Sequence, residues 1–396
     1  MKDIAMRNIK LQGRISFLSE LTFLVPIITL FYTYTWLSIA EIILLSNVST
    51  LTVWLFEIPT SVFADTTWRK KSLVWGSICS VLSAVCILFF PSFIGFSIAA
   101  ICGWLYFALR SGTTQAFLEE NLKIIGKTHE FWKKLGHFMS LENIAWLIVS
   151  IVITIFLKYW GDQWYIYLAI LDVITAWLLV MLTLKLKEVG HIKAKIQWWR
   201  DALIKNYITA KTACINVFTS KKLRTLMMYR SLANHVAFLF IISLPIRVEY
   251  GMPPRMAGIL GMIGIGWMII SNKYAYKVAE KWSYNHARVF STIAQAILLI
   301  IAWICLKSWI TITVIMILFN FFEWLRMPAW NHVLVWLSKG MAIATTRSII
   351  FSVFALYTTI GKQFLALFDL KYALIGLGIF IIIVNIVLGK KILKLK

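Results

Sequence analysis

Residues 57 to 72 read Glu57-Ile-Pro-Thr-Ser-Val-Phe-Ala-Asp-Thr-Thr-Trp-Arg-Lys-Lys-Ser72. Upstream the chain stays apolar from Ile39, broken by few polar residues, until Asp65 ends the run and Arg69, Lys70 and Lys71 follow. A helix that meets an acid and then a cluster of bases has the pattern of a membrane span leaving the bilayer on its positive, cytoplasmic side.

Composition agrees with that pattern. Of 396 residues, 60% are hydrophobic, with a mean hydropathy of +0.79, more apolar surface than one water-soluble core can hide. A span needs roughly 20 apolar residues to cross about 30 Å of hydrocarbon. Such runs recur from Ile15 onward at Ile15–Tyr34, Ile39–Ala64, Ser72–Phe90, Phe93–Arg110, Leu135–Leu157 and Trp164–Leu184. A second series follows at Tyr229–Val248, Met256–Tyr276, Val289–Leu306, Trp309–Trp330, Ile349–Leu367 and Tyr372–Leu388. No small-residue cleavage site follows the first run, so it is expected to be a retained span.

The net charge of +23 is distributed by topology. Only Lys158, Arg247, Arg255, Lys307 and Lys371 fall on the outer side, and Arg110, Arg230, Arg326 and Lys362 lie within or at the edges of spans. The rest of the 40 bases lie on one side, which places both termini in the cytoplasm. Between the two series, residues 185–228 are less apolar and rich in Lys and Arg, with Trp198, Trp199 and Ile204 interleaved. This segment is expected to be an amphipathic bridge on the anionic inner leaflet. Nucleic-acid binding is excluded because no folded reader module surrounds these bases. The organisation is therefore a first bundle over 1–184, the linker over 185–228, and a second bundle over 229–396.

The two bundles are related. A shift of about 215 residues brings Ala64-Asp65 onto Ala279-Glu280 and Phe23-Leu24 onto Phe238-Leu239, and one residue further Leu109-Arg110 onto Leu325-Arg326. The fold class is thus all-α integral membrane, twelve transmembrane helices in two pseudo-symmetric six-helix bundles.

Ionised groups are costly in such a setting, about 2.5 to 3.5 kcal/mol each at mid-bilayer on insertion scales, so each needs a partner or water. Glu20, Glu142, Asp172 and Glu323 lie inside spans, as do the bases Arg110, Arg326 and Lys362; His235 is the histidine placed well inside one. By the resemblance of residues 57–72 to the major facilitator superfamily, whose spans one, four, seven and ten line a central cavity, Glu20 and Glu323 are the candidate protonatable groups, tuned by Arg110 and Arg326. The competing assignment is a static pair, such as Arg110 with Glu142, that holds helices in register. His235 fits a hydrogen-bonded packing residue better than a proton carrier.

The five cysteines lack ligand spacing and read as packing residues. Catalytic and phosphate-loop motifs are absent, so no cofactor is expected. Gly258, Gly261, Gly264 and Gly266 suit close helix contact. Trp36, Trp160, Trp164 and Trp309 suit an interfacial belt. By the same resemblance, Phe31, Tyr32, Trp104, Tyr106, Trp324 and Trp330 lie in cavity-lining spans and are candidates to receive a substrate.

The stretch around Asp65 resembles the loop between spans two and three of the major facilitator superfamily. In one bacterial branch that loop reads Glu-x-Pro-Thr-Gly-x-x-Ala-Asp, then Gly and a basic cluster. Glu57, Pro59, Thr60, Ala64, Asp65, Arg69 and Lys70 match, while Ser61 and Trp68 stand at the glycine positions. The resemblance implies secondary transport, a central cavity lined by spans one, four, seven and ten, and a gate built from Asp65 with Arg69 and Lys70. The partners it implies are a small-molecule substrate and protons. Aromatic cavity-lining spans point to export of an amphiphile. The Gly-x-x-x-Gly-Pro pattern of many drug antiporters is absent from span five, which leaves import of a peptide or nutrient open. A non-transporting immunity or sensor protein on the same fold is a further alternative, and a membrane-embedded transferase a disfavoured one.

Overall fold

The computed structural model describes residues 1–66, 69–110, 113–159, 164–189, 204, 207–208, 211–212, 215, 218–233, 247–253, 256–266, 284–304, 308–337 and 370–389. These are helices and short connections, with no strand among the described residues. They are α1 (Lys2–Ser19), α2 (Ile28–Tyr34), α3 (Ile39–Thr66), α4 (Arg69–Phe89), α5 (Phe93–Arg110), α6 (Thr113–Ile124), α7 (Phe131–Tyr159) and α8 (Trp164–Leu184). Then come α9 (Lys221–Ala233), a helical stretch at Met256–Gly266, α10 (Tyr284–Ile304), α11 (Trp309–Leu337) and α12 (Leu370–Val384). The chain forms two compact units. One comprises residues 1–37, 51–206 and 255–262, the other 38–50, 207–254 and 263–396.

The first span departs from expectation. Its helix starts at Lys2, well before Ile15, because α1 carries a buried polar row rather than a loose basic tail. Asn8, Gln12 and Ser16 recur at four-residue spacing and are 1%, 1% and 2% exposed. Asn8 Nδ2 donates to Asn121 Oδ1 at 2.9 Å and to the Lys187 carbonyl at 2.7 Å, while Lys187 N donates back to Asn8 Oδ1 at 3.1 Å. Gln12 Nε2 donates to the Thr114 carbonyl. These bonds satisfy the Asn8 amide and the Gln12 Nε2, which would be costly to bury alone, while Gln12 Oε1 has no partner among the described residues.

The helix then stops. Glu20 caps α1 in a non-helical conformation, residues 21–24 are irregular, and a 3-10 turn at Val25–Ile27 leads into α2. Pro26 explains part of this, since it lacks an N–H and disfavours helical geometry at the residue before it.

Around this broken element the first unit packs tightly. Ser72 Oγ donates to the Leu109 carbonyl at 2.9 Å and Ser83 Oγ to the Ala99 carbonyl at 2.8 Å, joining α4 to α5. At Gly76 an added Cβ would meet Leu109 Cβ at 3.3 Å, so the small residue sets that approach. Val81 and Ala84 on α4 pack against Ala176 and Val180 on α8. On the opposite face of α8, Ile166, Ile170, Ile174, Trp177 and Met181 form an exposed apolar row at helical spacing. Hydrocarbon, rather than water, is the medium that such a row fits.

The turn into α3 is short. Trp36 has φ 65° and is 94% exposed. A capping box follows, in which Ser38 N and Oγ donate to Glu41 Oε2 at 2.8 and 2.7 Å and Glu41 N donates to Ser38 Oγ at 3.3 Å. In the second unit, Ala296 and Leu299 of α10, Phe319 of α11 and Leu377 and Ile381 of α12 form the core. Tyr229 Oη donates to Asn385 Oδ1 at 2.6 Å, tying α9 to the π turn after α12.

Candidate functional site

Arg110, the last residue of α5, bridges two acids. Its Nη1 donates to Glu20 Oε1 at 2.9 Å and its Nη2 to Glu142 Oε1 at 3.0 Å. The three side chains are 18%, 25% and 28% exposed, sheltered but not sealed. Tyr106, one turn before Arg110, accepts a bond from Nη1 at 3.3 Å. Trp146, one turn after Glu142, donates from Nε1 to Glu20 Oε2 at 3.1 Å. Spans one, four and five thus meet at one guanidinium.

The grouping merges two alternatives that the sequence left apart. Arg110 serves Glu20 and Glu142 together, so the static pair and the cavity pair are one cluster. With both acids ionised it carries a net charge of −1, which one proton or one cationic group would neutralise. Trp146 was missed as a member, although its four-residue spacing from Glu142 places both on one face of α7.

The break in span one is held from α8. Asp172 Oδ1 and Oδ2 accept the backbone N–H groups of Phe23 and Leu24, and Thr175 Oγ1 donates to the Leu21 carbonyl at 3.1 Å. Irregular backbone survives at membrane depth only where such partners or water satisfy it. Asp172 therefore positions the break that follows Glu20.

At the connection between α3 and α4, Glu188 Oε1 and Oε2 accept the backbone N–H groups of Arg69 and Lys70 at 3.0 and 2.9 Å. A carboxylate there meets orphan donors and the positive end of the α4 dipole. Arg69 Nε donates to Glu120 Oε1 on α6 at 2.8 Å. Pro59 sits inside α3 without interrupting it. Glu57 and Asp65 are also on α3, with side chains outside the described set. Neither Glu120 nor Glu188 stood out in the sequence as a partner of this loop.

In the second unit, Glu323 Oε2 accepts from Gln295 Nε2 at 3.0 Å. Arg326 is on α11 with its side chain outside the described set, and His235 lies outside the described residues. Arg288, Ser291, Thr292 and Gln295 make a row on α10, each 0% exposed. Ser291 Oγ and Gln295 Oε1 have no hydrogen-bond partner among the described residues. This row was missed because the run it belongs to reads as a plain span.

Two candidate cavity aromatics turn out to pack within the first unit. The Phe31 ring lies 5.6 Å from that of Phe96 and 5.3 Å from that of Tyr165, and Tyr32 lies 4.7 Å from Phe96. Phe31 is 6% exposed. Among the described residues no three His, Cys, Asp or Glu side chains are grouped to hold a metal.

No protein-family model matches this chain, and no curated protein sequence does. Solved structures do. The chain is similar to a D-xylose–proton symporter at 14% identity and a TM-score of 0.72, covering 98% of this chain and 97% of that one. It is similar to a nucleoside transporter at 12% identity and a TM-score of 0.75, covering 98% and 99%. It is also similar to a POT family transporter solved with 5-aminolevulinic acid, at 13% identity and a TM-score of 0.72, covering 98% and 97%. Identities this low speak to fold alone, and coverage this complete makes the fold that of the whole chain: all-helical and multi-pass, with twelve membrane spans in two six-helix bundles.

Proposed function

We propose that the protein is a secondary transporter, not an enzyme, that couples proton movement to export of a small amphiphilic molecule by alternating access. The observation that carries this is the single guanidinium of Arg110 shared by Glu20 and Glu142. A group of −1 charge in a partly open, membrane-embedded site can take up a proton when empty and release it when a cationic or polar group arrives. Coupling requires that kind of exchange. Glu323, bonded to Gln295, is the corresponding acid of the second unit.

The cytoplasmic gate is assigned to Asp65 with Arg69 and Lys70. Glu188 and Glu120 hold those bases in place on the first unit. Release of such contacts is how one state of a gate gives way to the other. Both termini are assigned to the cytoplasmic side of the cell membrane.

Uptake is the second possibility. Phe31 and Tyr32 are engaged with other rings, which removes part of the aromatic case for an exported amphiphile, and one of the similar structures is a proton symporter. Proteoliposomes with an imposed pH gradient separate the two. Ethidium, D-xylose, uridine and a dipeptide serve as probes, one per class. Export predicts ethidium movement against the proton flow, and uptake predicts one of the other three moving with it. Tight binding without gradient-dependent flux would instead favour a non-transporting protein on this fold.

A further inference from the structure

A cleft of about 520 Å³ opens in the first unit between the second half of α1 and the N-terminal part of α7, with Leu182 of α8 also lining it. Its lining is graded. Lys10 and Arg14 on α1 and Lys134 and His137 on α7 supply the basic part, and Phe17 and Leu141 supply apolar walls. On each helix the apolar residue lies seven positions beyond the first base, about 10 Å along the axis at 1.5 Å per residue. On α1 Lys10 therefore sits toward the cytoplasmic end and Phe17 deeper, while Leu141 of α7 lies beside Gly13, where an added Cβ would meet it at 3.5 Å, so basic and apolar groups adjoin there.

Four basic side chains line it, and of these Lys134 acts on a nearby acid, Glu130, whose carboxylate it helps to stabilise. Among the described residues, no ion pair is recorded for Lys10, Arg14, Lys134 or His137. The nearby acid Glu130 is bonded to Lys127 Nζ at 3.0 Å. Lys10, Arg14 and His137 are exposed, so they are available to a ligand. Solvation of the bases alone would not call for an adjoining apolar wall.

We propose that this cleft binds an anionic phospholipid of the cytoplasmic leaflet, its phosphate among Lys10, Arg14, Lys134 and His137 and one acyl chain against Phe17 and Leu141. Basic pockets between spans on the cytoplasmic side suit anionic headgroups, with each nearby base worth about 1 kcal/mol. The inference rests on the membrane orientation given above, but not on transport. Its consequence reaches the candidate site, because Phe17 lies one turn before Glu20 on α1 and Leu141 directly precedes Glu142 on α7. A lipid held between these helices braces the two elements that present their acids to Arg110.

The test uses the full-length protein in neutral detergent and native mass spectrometry. Phosphatidylglycerol, phosphatidylcholine with the same acyl chains, and glycerol 1-phosphate are added separately. Phosphatidylglycerol is expected to bind at least about tenfold more tightly than either of the others. Lys10→Gln with Arg14→Gln is expected to lower that affinity by about tenfold or more, at roughly fivefold per base. Leu141→Trp, which fills the apolar part, is expected to reduce binding with all four bases intact; an unchanged melting temperature in each variant confirms folding. Equal retention of the two phospholipids, undiminished binding in the double variant, or glycerol 1-phosphate binding as tightly as the lipid would overturn the assignment. So would gradient-driven movement of labelled phosphatidylglycerol between leaflets, which would make it cargo and not a resident ligand.

Discussion

Replacing Arg110 by Met removes a guanidinium that carries two charge-assisted hydrogen bonds, at 2.9 and 3.0 Å. It leaves Glu20 and Glu142 facing one another with a local charge of −2. Breaking a buried pair from one side costs about 3 to 5 kcal/mol, and the partial exposure of these groups places this site near 3. Glu142→Gln behaves differently, since it leaves one base and one acid and also relieves carboxylate repulsion; its expected cost is about 1 kcal/mol or less. Glu20→Gln is expected to fall between them, because Glu20 also accepts from Trp146. The triple variant Arg110→Met, Glu20→Gln, Glu142→Gln has no charge left to strand and should recover most of the loss. Equilibrium unfolding in mixed micelles measures all four. An Arg110→Met cost below about 1 kcal/mol, or a triple variant no more stable than the single one, would refute the shared-guanidinium account.

Asp172→Ala should strand the N–H groups of Phe23 and Leu24, at about 1 to 3 kcal/mol each, and hydrogen exchange at those two amides should rise in step with the loss of stability. Glu188→Gln removes the charge at the start of α4 and should cost about 1 kcal/mol in the same unfolding assay. Asp65→Asn should leave membrane insertion unchanged while reducing transport in proteoliposomes; full transport in that variant would remove Asp65 from the gate.

What the sequence disclosed followed from cost. Charges at Glu20, Arg110, Glu142 and Asp172 stood out because apolar runs rarely keep them, and three of the four meet at one point in the structure. Capping at Ser38 and Glu41 was equally available as a four-residue pattern. Partners fixed only by tertiary packing were not legible. Glu188 reaches Arg69 across 119 positions and Asp172 reaches Phe23 across 149, separations that no local periodicity encodes. The break in span one was hidden for another reason. Leu21, Phe23, Leu24 and Val25 are as apolar as a continuous helix would be, and only Pro26 hinted at the interruption. The early start of α1 was obscured by its bases, which drew attention to topology and away from the buried row of Asn8, Gln12 and Ser16.

Proton movement is the property on which the functional account turns. Wild-type protein and Glu20→Gln are reconstituted in parallel with an internal pH-sensitive dye, and whichever of the four probes binds is added across a pH gradient. The account predicts probe-dependent proton flux in the wild type and its loss in Glu20→Gln, with binding of the probe retained. Undiminished flux in Glu20→Gln, or binding with no flux in either protein, would contradict it.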